Sequence, residues 1–403
     1  MLFNEFIKIN EKIWHNYFRE FFERLRLGEI SLEEGTILFP NIALFTETKE
    51  HYIMELLGAK KDYIDLKTKK HKEISTEKYL YQFEFGHTNF KDSLVQFDGI
   101  GSGLKYLTLS RPVDLEVLKK RFKSTSQWSI GTSFIRTGMG NGSLFSFGEN
   151  FKSAYMDNCV LVNRLEEIYR VKQVVHMVIV NKNYSTTAYE DELRNRLNGP
   201  VLSTTDLFGI QYCVGKETEA MMLSGQFANT FLIPGLRETT IGEFLNQNPS
   251  FIESALNCKD FLYEPDFKWI EGNPDLEEKA INPDIMLRRN DGYYDICDLK
   301  TPKLYEKKLV KGRHKRRAFV SYVDEGISQL ANCEEYFTFQ ANKEVAKDKY
   351  SVEVVNPTLY LVVGNYENLT PEEIREAARK LKPNYRIIDY DTLNALYLSK
   401  YLT

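Results

Sequence analysis

The sequence predicts an α/β protein, α+β overall: an α/β sandwich around a mixed sheet in residues 236–403, preceded by an α+β N-terminal region, residues 1–235, of one or two domains. Three observations carry this. The chain has 403 residues, room for two or three domains at roughly 100–200 residues each. Hydrophobic residues make up 42% and charged residues 27%, a balance that fits packed cores and excludes disorder and fibrous repeats. After Leu232-Ile233-Pro234-Gly235 helix and strand signals alternate, whereas short β-like runs dominate before it.

The first element is a helix over residues 1–27. Phe3, Ile7, Trp14, Phe18, Phe21 and Leu25 recur at three, four or seven, Phe6, Ile13, Tyr17 and Phe22 widen the stripe, and Gly28 stops it. A stripe this aromatic predicts packing on its own domain, with an oligomer contact as the alternative. Tyr79–Phe85 and Leu104–Leu109 are β-like, and Asn141-Gly142 predicts a hairpin turn between Phe134-Ile135 and Leu144–Phe147. Val171–Val180 predicts a buried strand, and Ala188–Leu197 a short helix ending at Asn198-Gly199-Pro200.

In the second region Thr240 followed by Glu243 is a capping-box pattern opening a helix towards Asn248-Pro249. Ile281–Arg289 and Tyr293–Thr301 are strand-like, joined through Asn290-Asp291-Gly292, with Asp-Gly a favoured hairpin pair. A long helix is expected from Ala318 to Phe337 and a strand over Thr358–Val363. Thr370-Pro371-Glu372-Glu373 opens another helix with a cap, an N1 proline and acids at the positive end. Tyr385–Ile388 is the last strand, and Asp391 is expected to cap the last helix.

Lys and Arg number 53 and Asp and Glu 57, a net charge of −4, so a nucleic-acid surface must be a local patch. No apolar run approaches the ~20 residues of a membrane span, and the N-terminus is too charged for a secretory signal. Cys159, Cys213, Cys258, Cys297 and Cys333 are odd in number and form no CxxC pair, which argues against a disulfide framework or a structural zinc site. The expectation is a cytoplasmic protein without a membrane partner.

The chemistry concentrates in INPDIMLRRNDGYYDICDLKTP, residues 281–302. Asp284 heads one strand, and Asp298 and Lys300 share a face of the next. A hairpin between them sets Asp284 beside Asp298, a hard-oxygen pair suited to Mg²⁺, with Mn²⁺ as a substitute. Lys300 is then placed to orient water and offset charge on a phosphate. The plain alternative is a solvated Asp–Lys pair on an edge strand. Lys303, Lys307, Lys308, Lys311, Arg313, His314, Lys315, Arg316 and Arg317 crowd the segment that follows, which suits a phosphate backbone or a solvated loop. Tyr322, Gly326, Gln329, Cys333 and Tyr336 fall on one helical face, which brings Gln329 towards the same site.

These residues resemble the PD-(D/E)XK nuclease superfamily. With GISQL (326–330) and YRIIDYDTL (385–393), residues 236–403 resemble the nuclease domain of the Shedu family, single-protein bacterial anti-phage systems. The resemblance implies a metal-dependent endodeoxyribonuclease acting on phage or plasmid DNA, assembled as a homotetramer, with a restriction-endonuclease-like sandwich and an N-terminal region that governs DNA engagement. It implies Asp284 and Asp298 as metal ligands, Leu299 among the metal-holding positions, Lys300 as the catalytic lysine and Gln329 as the helix glutamine. Glu243 is chosen over Glu238 and Glu264 as the helix glutamate. Lys303, Lys311, Arg313, Lys315, Arg316 and Arg317 are the expected DNA contacts. Many relatives carry Glu where this chain has Asp298, one methylene longer. The expected reaction is in-line attack of water on a phosphodiester. The alternatives are a repair or restriction nuclease of the same fold, or a catalytically inactive DNA-binding module.

Other signals are set aside. Gly99, Gly101 and Gly103 precede strand-like residues and predict a turn, not a nucleotide loop. Gly209 to Gly215-Lys216 is one residue too long for a Walker loop, with Glu217 in place of Ser or Thr. His176 is expected to be a satisfied core residue, and Lys67–Lys72 a solvated loop with an accessory DNA contact behind it.

Overall fold

The computed structural model describes the chain apart from residues 31–34, 82–96, 101–103, 108–111, 124–134, 138–150, 167, 199–206, 234–235, 237, 274–278, 305, 307 and 402–403. It is a mixed α/β protein of two compact units, Met1–Gly235 and Leu236–Lys400.

The first unit runs α1 (Phe3–Arg26), β1 (Thr36–Leu38), β2 (Ile42–Glu47), β3 (His51–Leu57), β4 (Lys67–Lys72), α2 (Thr76–Tyr81), β5 (Phe97–Ile100), β6 (Leu104–Leu107), α3 (Pro112–Arg121), β7 (Ile135–Thr137), β8 (Ser153–Leu165), β9 (Ile168–Asn181), α4 (Thr186–Leu197), β10 (Gln211–Cys213) and α5 (Lys216–Leu232). Its main sheet has the order β4-β2-β3-β9-β8-β7, antiparallel except for β2 with β4. The aromatic stripe of α1 packs within its own unit. Phe6, Trp14, Phe18 and Phe21 are buried with Tyr52, Met54, Leu56, Val178 and Val180, each large side chain contributing about 1.5–3 kcal/mol through burial. His176 is fully buried, hydrogen-bonded through Nδ1 to Asp157 and lying 4.5 Å from the Trp14 ring.

Two local expectations fail here. Tyr79–Tyr81 belong to α2, because the Ser75 hydroxyl accepts the Lys78 N–H and starts a turn that overrides aromatic β-propensity. Lys67–Lys72 is an edge strand, since Asn41 C=O accepts the Lys67 N–H and starts a parallel ladder. Lysine along an edge discourages pairing with another chain. β5 and β6 pair antiparallel across the glycine-rich stretch. The Asn141-Gly142 turn and residues 82–85 lie outside the described residues.

The second unit runs α6 (Glu238–Gln247), α7 (Pro249–Leu256), β11 (Asp260–Tyr263), β12 (Phe267–Lys268), β13 (Ala280–Ile281), β14 (Ile285–Arg288), β15 (Tyr294–Leu299), β16 (Val310–Lys311), β17 (Ala318–Phe319), α8 (Ser321–Tyr336), α9 (Gln340–Tyr350), β18 (Leu359–Val362), α10 (Pro371–Ala377), β19 (Tyr385–Ile388) and α11 (Tyr390–Leu398). The sheet order is β11-β14-β15-β18-β19, antiparallel as far as β15 and parallel beyond it. Every residue of β15 is buried, as a strand covered on both faces requires. Met286, Ile296, Leu359 and Leu361 pack with Val323 and Leu330 of α8. The Phe251 ring of α7 stacks on Tyr397 of α11 at 4.2 Å.

The β14–β15 turn closes through Gly292, at φ +91°, whose N–H reaches Arg289 C=O. Thr370 and Glu373 cap α10 reciprocally. Three boundaries move. α6 begins at Glu238, so Thr240 lies inside the helix and caps nothing. Ala318 and Phe319 pair with Lys311 and Val310 instead of opening α8. Asp389 caps α11 by accepting the Thr392 N–H, while Asp391 is buried and accepts the Tyr366 N–H. Among the described residues no helix is long and apolar enough to cross a membrane.

Candidate functional site

The site lies where β14 begins and β15 ends. Because Ile285 pairs with Cys297, Asp284 falls opposite Asp298. Asp284 Oδ2 accepts the Leu299 N–H at 2.6 Å, so one acid is tied to the strand that carries the other. Alternation along β15 puts Asp298 and Lys300 on the face of Ile296, towards α8. A Cβ at Gly326 of α8 would come within 3.3 Å of Lys300 Cε and 2.8 Å of Leu361 Cδ1. Glycine is what lets the helix approach the lysine.

Lys300 Nζ lies 2.6 Å from Asp298 Oδ2 and 4.0 Å from Glu238 Oε1. Asp298 is also hydrogen-bonded to Asp284. Burial, then the neighbouring Asp298 charge, pushes Asp284 up to about 7. Burial also raises Asp298, against the opposing pull of Lys300. Burial works against the charge of Lys300, but Asp298, Glu238 and Asp284 outweigh it and raise the ammonium above its ordinary range. Each carboxyl thus resists ionisation, held beside the other and next to the Lys300 ammonium.

A hard divalent cation fits this donor chemistry. Asp298 Oδ2 is buried, 2.6 Å from the Lys300 ammonium but without a well-aligned hydrogen bond. Two opposed carboxylates whose ionisation burial penalises gain from a divalent ion on oxygen ligands. Among the described residues no group of three or more His, Cys, Asp and Glu is arranged to hold a metal ion. The Leu299 side chain is buried hydrocarbon, and its contribution here is the backbone N–H given to Asp284.

Of the three competing glutamates, Glu238 is the one beside Lys300. Its Oε2 accepts the N–H of Thr301 at 3.1 Å and the Thr301 hydroxyl at 3.4 Å. Glu243 lies five residues further along α6, about 1.4 turns; burial raises the Tyr263 hydroxyl, and Glu264, Asp284 and Glu243 add to it. Gln329 is exposed on α8, one turn beyond Gly326. Two residues that sequence reasoning missed bind the chain at Lys300: Tyr390 donates its hydroxyl to Lys300 C=O at 2.8 Å and Tyr322 donates to Thr301 C=O at 3.0 Å. Tyr390 lies in the YRIIDYDTL segment and Tyr322 on the Gln329 face, but nothing in a linear sequence pairs either with residue 300.

The basic segment divides. Arg317 is ion-paired with Glu376 at 2.8 Å and Lys308 with Glu373 at 3.0 Å, both acids of α10. Lys311, Arg313, His314 and Arg316 are exposed. Exposed Lys303 places its ammonium 4.5 Å from the Tyr322 ring centre. The backbone of Lys315 lies in the same short helical turn, His314–Arg316.

Residues 235–394 match a protein-family model described as Shedu protein SduA, C-terminal. The match takes in Glu238, Asp284, Asp298, Lys300, Gln329 and Tyr390. The C-terminal unit is thus similar to that family. No curated protein matches the chain.

Proposed function

We propose that the chain is a divalent-metal-dependent endodeoxyribonuclease of the PD-(D/E)XK kind that cuts phage or plasmid DNA in bacterial antiviral defence. The observation that carries the reading is the opposition of Asp284 and Asp298 across β14 and β15, with Lys300 Nζ 2.6 Å from Asp298. The similarity of residues 235–394 to the Shedu C-terminal family supports it.

Asp284 and Asp298 would hold Mg²⁺ or Mn²⁺, with Glu238, 4.0 Å from Lys300 Nζ, as a further carboxylate. A divalent ion held there would supply Lewis acidity to the phosphate and to the attacking water. Lys300 orients that water and donates to a phosphate oxygen as negative charge builds. Lys303, Lys311, Arg313 and Arg316 attract the DNA backbone by charge without reading bases. Arg317, held by Glu376, anchors the β16–β17 segment that carries Lys311, Arg313 and Arg316.

The test is supercoiled plasmid incubated with the purified chain and Mg²⁺, with an EDTA control. Nicked or linear product that EDTA abolishes is the expected result. Plasmid, linear duplex and single strands all left intact in both Mg²⁺ and Mn²⁺ would overturn the catalytic reading, and DNA retention without cutting would then favour a binding module.

A further inference from the structure

The chain that leaves β15 is held in an unusual way. The last ladder bond is Lys300 N–H to Val362 C=O, at 2.9 Å. From there the backbone is satisfied mostly by side chains. Lys300 C=O accepts the Tyr390 hydroxyl at 2.8 Å, and Thr301 C=O accepts the Tyr322 hydroxyl at 3.0 Å. Asn368 Nδ2 lies 3.2 Å from both Pro302 C=O and Lys303 C=O. The Thr301 N–H goes to Glu238, and Pro302 has none to give. Four consecutive carbonyls are thus bound by three side chains, although a connection of this kind ordinarily turns to solvent.

The holders are themselves fixed. Tyr390 is fully buried and Asn368 nearly so. Asn368 accepts the Asn365 N–H at 2.9 Å and gives its own N–H to Asn365 Oδ1 at 3.1 Å. Tyr390 N–H reaches Gly364 C=O at 3.2 Å. The stretch ends at Lys303, a non-glycine residue at φ +52°, a conformation that persists only where surroundings enforce it.

We propose that Tyr390, Tyr322 and Asn368 are positioning residues: they lock residues 300–303 so that the Lys300 ammonium stays between Asp298 and Glu238 while Lys303 is presented at the rim on Tyr322. The nuclease part of this inference rests on the function proposed above, but the placement of Lys300 does not.

The experiment uses the full chain and the variants Tyr390→Phe and Tyr322→Phe. Tyr322 is only half-buried, so its variant keeps the test open should Tyr390→Phe fail to fold. The probe is reductive methylation, followed peptide by peptide. Lys300 should be modified about fivefold faster in the variants, the factor a hydrogen bond of ordinary net strength is worth, while buried Lys172 keeps its rate as the folding control. On plasmid with Mg²⁺, kcat should fall roughly tenfold with KM unchanged, as for a misplaced catalytic group. An unchanged Lys300 rate in folded variants overturns the proposal. If the wild-type chain cuts no DNA but the Lys300 rate rises, the nuclease reading fails and the positioning role stands.

Discussion

Asp284 accepts the Leu299 N–H at 2.6 Å while facing Asp298 across the same two strands. The bond commits a half-buried carboxyl to a place where a second carboxyl raises the cost of its charge. Burial and Asp298 push Asp284 from 3.8 to about 7. Between those values the folded state holds a proton that the unfolded state has lost, so this group's contribution to stability is greatest below pH about 4 and is lost as pH rises through about 7. In EDTA, Asp284→Asn should therefore be more stable than wild type at pH 8 by about 2–4 kcal/mol and gain little at pH 4. Thermal melts at the two pH values check this. An equal or lower melting temperature for the variant at pH 8 contradicts the strained pair.

On the proposed function, the same strain would make Mg²⁺ a folding ligand. Mg²⁺ at tenfold its dissociation constant should add about 1.4 kcal/mol, and EDTA should remove it. In Asp298→Asn the shift should vanish. Differential scanning fluorimetry across a Mg²⁺ series reads it, and an undiminished shift in Asp298→Asn would locate the ion elsewhere.

The division of the basic segment predicts two kinds of variant. Arg313→Ala and Arg316→Ala, which remove exposed charges, should weaken DNA binding alike on unrelated sequences and each lower the salt slope by about 0.9. Arg317→Ala, which breaks the pair with Glu376, should instead lower the melting temperature. Filter binding over a salt range, beside melting curves, separates the two. Sequence-dependent losses at Arg313 would contradict backbone recognition.

The β14–β15 hairpin was legible because alternation, an Asp-Gly turn and the spacing of Asp284, Asp298 and Lys300 are all local signals. So was α1, whose stripe repeats at helical spacing. What was not legible depended on partners distant in sequence. Thr240 and Glu243 look like a cap, yet α6 starts at Glu238, whose carboxylate reaches Thr301, 63 residues away. Asp389 and Asp391 are both plausible caps, and Asp391 is engaged instead by the Tyr366 N–H. Lys67–Lys72 carries no strand periodicity, and its pairing with β2 makes it a strand. The bonds from Tyr390 to Lys300, 90 residues apart, and from Asn368 to Pro302, 66 apart, exist only once the sheet has formed.

The most direct measurement is single-turnover cleavage of plasmid in Mg²⁺ by the wild-type chain beside Lys300→Ala. The wild type should cut, and the variant should cut at least about 10³-fold more slowly while keeping its DNA affinity within a few-fold, because the lysine acts on charge that develops in the transition state. Cutting at the wild-type rate by Lys300→Ala would contradict the assignment of this site as the place where the phosphodiester bond is broken.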